Sequence, residues 1–169
     1  MTSTADDDDA FMREALREAA LAGQEREVPI GAVLVHDGRI IARGRNACER
    51  LQDATAHAEM LTIRAASAAL GSWRLEECTL YITLEPCPMC MGACLNARVA
   101  RVVYGAAEPK AGACGSVVDL RQPPGYNHAI AVTAGVRAAE SSQLLVSFFR
   151  ALRDAKRQQR AETDTDTGA

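Results

Sequence analysis

His57 and Glu59 stand two positions apart in TAHAEM (residues 55–60), an alanine-rich stretch that demands neither of them. A histidine alone among small apolar residues is more often a satisfied side chain than a ligand, so partners elsewhere decide its role. LEPCPMC (84–90) supplies Cys87 and Cys90. Pro88 favours the first helical position, which makes Cys87 the cap residue and Cys90 the third position inside. Both sulfurs then lie at one helix end, where unpaired N–H groups and the positive end of the dipole favour thiolate, the form that binds metal. Taken alone, the Cys-x-x-Cys fits a redox pair as well as a metal pair. On a regular helix His57 and Glu59 would point to nearly opposite sides, so they share a site only if His57 sits at an irregular helix start, with Thr55 able to cap just upstream. One nitrogen and two sulfurs give zinc three ligands and leave a fourth position for water, whose pKa falls to roughly 7, the mark of a catalytic rather than a structural site. Glu59 fits as the proton carrier, taking a proton from that water and delivering it to a ring nitrogen, then helping to protonate the departing amine.

The elements around these residues follow from periodicity. AFMREALREAALA (10–22) has helical apolar spacing and Gly23 as a stop, and PIGAVLVHDGRIIARG gives two strands around Asp37-Gly38, a tight hairpin signal. Residues 56–70 read as a second helix closed by Gly71, 79–84 as a strand, 88–97 as a helix, 101–106 as a strand. Strand, helix, strand, helix, strand is the pattern of parallel crossovers in a sheet covered by helices, so the third and fourth strands are expected to be parallel. The two helix starts that carry His57 and the cysteines are expected at the ends of neighbouring strands, where open α/β sheets place their sites. Residues 107–128, rich in Pro and Gly, read as a long irregular loop with room for one short helical turn. AIAVTA (129–134) reads as a fifth strand, and 136 to about 160 as a final helix with Leu144, Leu145, Phe148 and Phe149 on its apolar side.

At 169 residues the chain suits one domain with a core that needs no disulfide. No apolar run approaches the roughly 20 residues of a membrane span, and MTSTADDDDA is acidic where a targeting signal would be basic, so a cytoplasmic protein with no membrane partner is expected. In that compartment Cys48, Cys78, Cys94 and Cys114 read as small buried side chains rather than disulfide halves. The formal net charge of −3 hides an asymmetry, because seven of the 22 acidic residues lie at 6–9 and 162–166. Residues 1–9 and 161–169 are read as disordered acidic tails on a mildly basic body in which Arg150, Arg153, Lys156, Arg157 and Arg160 cluster. A charge run of this kind is a solvated helix face unless a phosphate partner claims it.

With His57, Glu59, Pro86, Cys87 and Cys90 assembled, the chain resembles the zinc-dependent nucleoside and nucleobase deaminases, whose mark is H-x-E followed by P-C-x-x-C. Within them it is similar to the bacterial tRNA-specific adenosine deaminases from about Phe11 to Arg153. VPIGAVLV, Asn46, DATAHAEM, LYITLEPCPMC, PKAGACGS, PGYNH and LLVSFFR fall in the family's order. The resemblance implies a cytidine deaminase-like α/β fold, a three-layer α/β/α sandwich around a five-stranded mixed sheet, with the zinc deaminase domain over 10–160. It implies one Zn2+ per chain held by His57, Cys87 and Cys90, with Glu59 catalytic, in a homodimer that converts adenosine to inosine at the wobble position (position 34) of an arginine tRNA. It places Asn46, Val28, Pro29, Ala58, Leu84, Glu85 and Pro86 at the substrate, and Lys110, Asn127, His128, Phe149, Arg150 and Arg153 against the anticodon stem-loop. Departures fall in the tRNA-contacting parts: Glu108 stands where the family often has aspartate, Arg121-Gln122-Pro123-Pro124 replaces a stretch that commonly ends in His-Pro, and AIAV after His128 is less polar.

Other readings stay open at this level. Asn46 could cap a turn, Phe148 and Phe149 could both be core, and Arg150 could be solvated. A deaminase of free guanine or a pyrimidine uses the same metal pocket but does not need FFR and a basic C-terminal helix. A non-catalytic zinc-stabilised RNA-binding subunit typically lacks the glutamate that Glu59 supplies.

Overall fold

Alternating residues cut by Asp37-Gly38 build the first hairpin. In the computed structural model, which describes residues 4–166, strands β1 (Gly31–His36) and β2 (Arg39–Arg45) pair antiparallel. Asp37 and Gly38 between them have φ of 47° and 70°, the positive pair that a type I′ turn requires. Strand β3 (Cys78–Leu84) pairs antiparallel with the other side of β1, and β4 (Arg101–Ala106) and β5 (Ala131–Thr133) follow in parallel. The order is β2-β1-β3-β4-β5, so β1 alone runs against the other four. Helix α3 (Ala58–Leu70) carries the chain from β2 over β1 to β3, and helix α4 (Pro88–Asn96) from β3 to β4. The two helix starts at the site are thus fed by strands separated by β1 rather than by adjacent ones, and the short helix α2 (Cys48–Leu51) bridges the extra distance.

Period-2 alternation divides the core between two faces. Leu34, Leu80, Ile82 and Val102 pack under α3 and α4 with Ile63, Met91 and Cys94. Val33, Val35, Tyr81 and Val103 pack under helix α1 (Ala5–Gln24) with Met12, Ala15 and Leu16, joined by Leu144 of helix α5 (Ala138–Asp166). The result is the three-layer α/β/α sandwich on a five-stranded mixed sheet that the family resemblance implies. Layer spacing is tight where α1 crosses β1: a Cβ at Gly31 would stand 2.2 Å from the Ala19 backbone nitrogen, so only glycine fits. Cys78, Cys94 and Cys114 are buried, and all six cysteines are free thiols. Among the described residues no helix is long and apolar enough to cross a membrane.

Both expected tails are corrected where they are described. Helix α1 begins at Ala5, because Thr4 and Asp7 form a capping box, which satisfies two otherwise orphaned backbone donors. Asp8 is buried and accepts from the Tyr81 hydroxyl at 2.8 Å and from both Arg101 guanidinium nitrogens at 2.9 and 2.6 Å, while Asp9 pairs with Arg13 and Arg137. At the other end α5 continues through Asp166; residues 1–3 and 167–169 lie outside the described residues. The fifth strand is shorter than AIAVTA, and the segment 107–128 folds as turns with one isolated bridge, Cys114 to Asp119, and no helical turn.

Candidate active site

His57 is the cap residue of α3, with extended backbone (φ −71°, ψ 153°), and Cys87 is the cap residue of α4 (φ −76°, ψ 171°) with Pro88 directly after it. Those non-helical caps let His57 and Glu59 share a site despite their spacing. Thr55 is not the cap; its hydroxyl and amide both donate to Asp53. The His57 Nδ1 atom lies 3.7 Å from the Cys87 sulfur and 3.5 Å from the Cys90 sulfur, and the three donor atoms fall within 4.8 Å of one another. Tetrahedral zinc with Zn–N of about 2.0 Å and Zn–S of about 2.3 Å sets its N and S ligands about 3.5 Å apart. The spacing therefore fits zinc. So does the donor chemistry: two thiols and an imidazole nitrogen converge, and contact with the Cys90 thiol, and then with His57, holds the Cys87 sulfur below the ordinary thiol range while the same contact raises Cys90.

Glu59, in the first turn of α3, is 4% exposed. Burial pushes its carboxyl up to about 7, which suits a group that must both take and give a proton near neutrality. Ala58 is buried beside it.

The expected substrate wall is brought close by backbone hydrogen bonds. The Asn46 amide donates to the Ile30 carbonyl at 3.0 Å, which seats Val28 and Pro29 opposite Asn46, and the Ala47 amide donates to the Ala56 carbonyl at 3.0 Å, next to His57. Leu84 is half-buried and Pro86 buried at the end of β3. Sequence reasoning missed Glu27, a carboxylate only 1% exposed. It accepts from the Arg50 amide at 2.6 Å, the Glu49 amide at 3.3 Å and Asn46 Nδ2 at 3.4 Å, so it both caps α2 and orients the Asn46 amide. Its signal was a charge placed directly before the apolar VPIGAVLV.

Glu85 departs from its expected place at the substrate. The residue is 2% exposed, and its carboxylate is turned into the following loop. Oε1 accepts from the amides of Cys114 (2.9 Å) and Ser116 (3.2 Å), and Oε2 from the amide of Glu108 (3.0 Å) and the Ser116 hydroxyl. Gly112 packs so closely that a Cβ there would be 2.5 Å from the carboxylate. With the Ala113 amide donating to the Pro86 carbonyl at 2.9 Å, the loop that carries exposed Lys110 is fastened to the residues flanking Cys87.

The residues expected to meet RNA sit on three separate segments. Lys110 projects from this loop; Asn127 accepts from Arg98 at 2.5 Å, and the His128 ring donates to the Val99 carbonyl at 2.8 Å. Phe149 is 41% exposed on α5, stacked edge-on against Phe148 rather than in the core, and Arg150 and Arg153 are exposed beyond it.

Three metal donors at two helix starts, with a buried carboxylate beside them on a mixed α/β/α sheet, define a zinc-dependent hydrolytic deaminase site. Residues 5–106 match the cytidine and deoxycytidylate deaminase zinc-binding region, and the chain belongs to that family. It is similar to the tRNA-specific adenosine deaminase of Bacillus subtilis (strain 168), at 51% identity over 150 residues covering 89% of this chain and 93% of the relative. Among solved structures it is similar to one from studies of A-to-I editing by tRNA:A34 deaminases at the wobble position (TM-score 0.78, 51% identity, 80% of this chain and 99% of that one). It is also similar to guanine deaminase from Nitrosomonas europaea (TM-score 0.70, 25% identity, 83% of each chain).

Proposed function

We propose that the protein hydrolyses adenosine to inosine, releasing ammonia, at the wobble position (34) of a tRNA, with an arginine tRNA as substrate. The observation that carries this reading is the 51% identity to tRNA adenosine deaminases across most of the chain, against 25% to a guanine deaminase of the same fold. Zinc, when bound by His57, Cys87 and Cys90, supplies a water activated at neutral pH. Glu59 would relay both protons of such a water, the first to the purine ring nitrogen and the second, given up as the new carbonyl forms, to the exocyclic amine, which leaves as ammonia. Asn46, held by Glu27, and the Val28, Pro29 and Leu84 side chains hold the base in place. Lys110, Asn127, His128, Phe149, Arg150 and Arg153 engage the anticodon loop, whose wobble base is already unpaired and is extruded at lower cost than a base in a duplex. We place the enzyme in the cytoplasm as a homodimer, as the family resemblance implies.

Inosine formation on total tRNA, followed by mapping of the modified position, tests the reading. An arginine-tRNA anticodon stem-loop with A at the wobble position is expected to be deaminated while free adenosine, guanine and cytidine are not. Activity is expected to fall as salt rises, because phosphate contacts release counterions, and the contrast to weaken when Arg150 and Arg153 are neutralised together. Faster turnover of guanine or cytidine than of the stem-loop at matched concentration would overturn it in favour of a free-base deaminase.

A further inference from the structure

Most of the protein's folded arginines are already matched with acids: Arg13, Arg17, Arg101, Arg121 and Arg137 all sit in ion pairs. The middle of α5 is different. Arg150, Arg153, Lys156 and Arg157 carry no ion pair among the described residues, and every residue from 149 to 162 is exposed.

Their placement is more ordered than their sequence suggests. At about 100° of rotation per helical residue, Arg150, Arg153, Lys156, Arg157 and Arg160 all project within one sector of about 120°. Between 150 and 160 no other residue falls in that sector: Ala151, Leu152, Asp154, Ala155, Gln158 and Gln159 all point elsewhere. A merely solvated helix would intersperse its charges, as α1 does with Arg13–Asp9 and Arg17–Glu14 pairs. The stripe is about 15 Å long at 1.5 Å per residue, or roughly one cation per 3 Å. That linear density is close to the phosphate spacing along one strand of a nucleic-acid duplex, about 3.4 Å of axis. Its lower end meets Phe149 and Arg150, so the stripe leads away from the expected loop contacts.

We infer that the outer part of this face, Lys156, Arg157 and Arg160, is a rail for the phosphate backbone of the paired anticodon stem, continuing outward from the loop contacts of Arg150 and Arg153. The inference rests on the tRNA reading and adds the part of the RNA that Lys156, Arg157 and Arg160 serve. It predicts recognition by charge and helical shape without base reading, because the A-form groove edges offer phosphates and 2′-hydroxyls to such a surface. Exposed apolar side chains do not interrupt the stripe, which sets it apart from a membrane-lying helix, whose cations flank an apolar face.

Two variants of the full-length zinc-loaded protein separate this rail from simple net charge. One carries K156Q, R157Q and R160Q. The other carries the same three changes together with A151K, A155K and Q158K, which restore the charge at exposed positions outside the sector. Binding is measured against salt for two RNAs, the anticodon stem-loop and the linear loop oligonucleotide without its stem, with circular dichroism to verify that helix content is kept. Both variants are expected to bind the stem-loop on the order of tenfold more weakly at low salt. Their salt slopes should be shallower by up to about 3, given roughly 0.9 per duplex phosphate contact, with binding of the linear loop unchanged. Recovery of stem-loop binding by the second variant would reduce the stripe to net charge and overturn the rail, as would equal losses on both RNAs or no loss on either. Because binding is read without turnover, a wild-type protein that deaminates neither RNA would count against the tRNA reading and not against this one.

Discussion

Replacing Glu85 by glutamine changes one oxygen to an amide nitrogen and removes a charge, yet it should be among the more damaging isosteric changes available in this protein. The carboxylate gathers four donors from residues 108–116. Hydrogen bonds to a charged acceptor contribute about 1.5–3 kcal/mol each. In E85Q the Oε1 bonds to Cys114 and Ser116 survive as neutral ones, while the new amide faces the Glu108 N–H, donor against donor. The Ser116 hydroxyl can turn to accept. One lost charged bond, two weakened ones and one clash give a net loss of about 2–4 kcal/mol. At about 2–4 °C per kcal/mol for a chain of this size, thermal unfolding should fall by about 4–16 °C at pH 7, with zinc content unchanged and kcat/KM reduced as the Lys110 loop loosens.

The pH dependence is the sharper signature. Burial alone would raise the Glu85 carboxyl, but the bonds from Ser116, Glu108 and Cys114 outweigh it and hold the carboxyl below its ordinary value. A folded pKa below the unfolded one, about 4.3, means that the stabilisation is complete above that pH. It is lost as pH falls through the unfolded value toward the folded one. The glutamine variant has nothing to titrate there. Denaturant unfolding of both proteins from pH 7 to pH 3.5 should therefore show a stability gap that narrows toward acid. A gap near zero at pH 7, or one that widens toward acid, would refute the assignment of Glu85 as an anionic brace.

A Cys87→Ser, Cys90→Ser double variant should lose zinc from one ion per chain to near none by elemental analysis; stoichiometric zinc in it would remove these residues from the metal site. Glu59→Ala should stay folded and zinc-loaded while single-turnover assays show activity down by about 10²–10⁴-fold, the range of a lost general acid–base, and near-normal turnover would exclude the proton-carrier role. Glu27→Gln should cost about 2–3 kcal/mol in chemical denaturation, from weakened charged hydrogen bonds at the start of α2. It should also raise KM for the stem-loop more than it lowers kcat, since Asn46 loses its orientation; unchanged stability and KM would show that Asn46 is held by other means.

The parts of this protein that short-range chemistry governs were legible in its sequence. Pro88 after Cys87 placed both sulfurs at a helix start, and Asp37-Gly38 set the hairpin. The zinc site was readable because its residue types are rare and its caps are local. Residues whose partners lie far along the chain were not. Asp8 looked like one of four equivalent solvated acids, and only the fold brings it to Tyr81 and Arg101, 73 and 93 residues away. Glu85 adjoins the metal motif and was read as part of the pocket, but the glycine-rich loop that its carboxylate holds begins more than 20 residues later. Phe149 carries an apolar residue type on an exposed face, where periodicity alone assigns it to the core.

The anchoring of Asp8 bears on how the protein can be handled and altered at its beginning. A cluster of aspartates invites trimming, tagging or fusion within it, as if the segment were a spacer. Cutting after residue 8 would instead take from Arg101, at the start of β4, the buried carboxylate it is paired with, and would remove the Asp8 partner of the Tyr81 hydroxyl. Removing one partner of such a pair destabilises by about 3–5 kcal/mol, a large share of what a domain has to spare. The acidic start behaves as a latch closed onto the middle of the sheet, and linkers or affinity tags are better joined ahead of Thr4, leaving its capping box intact.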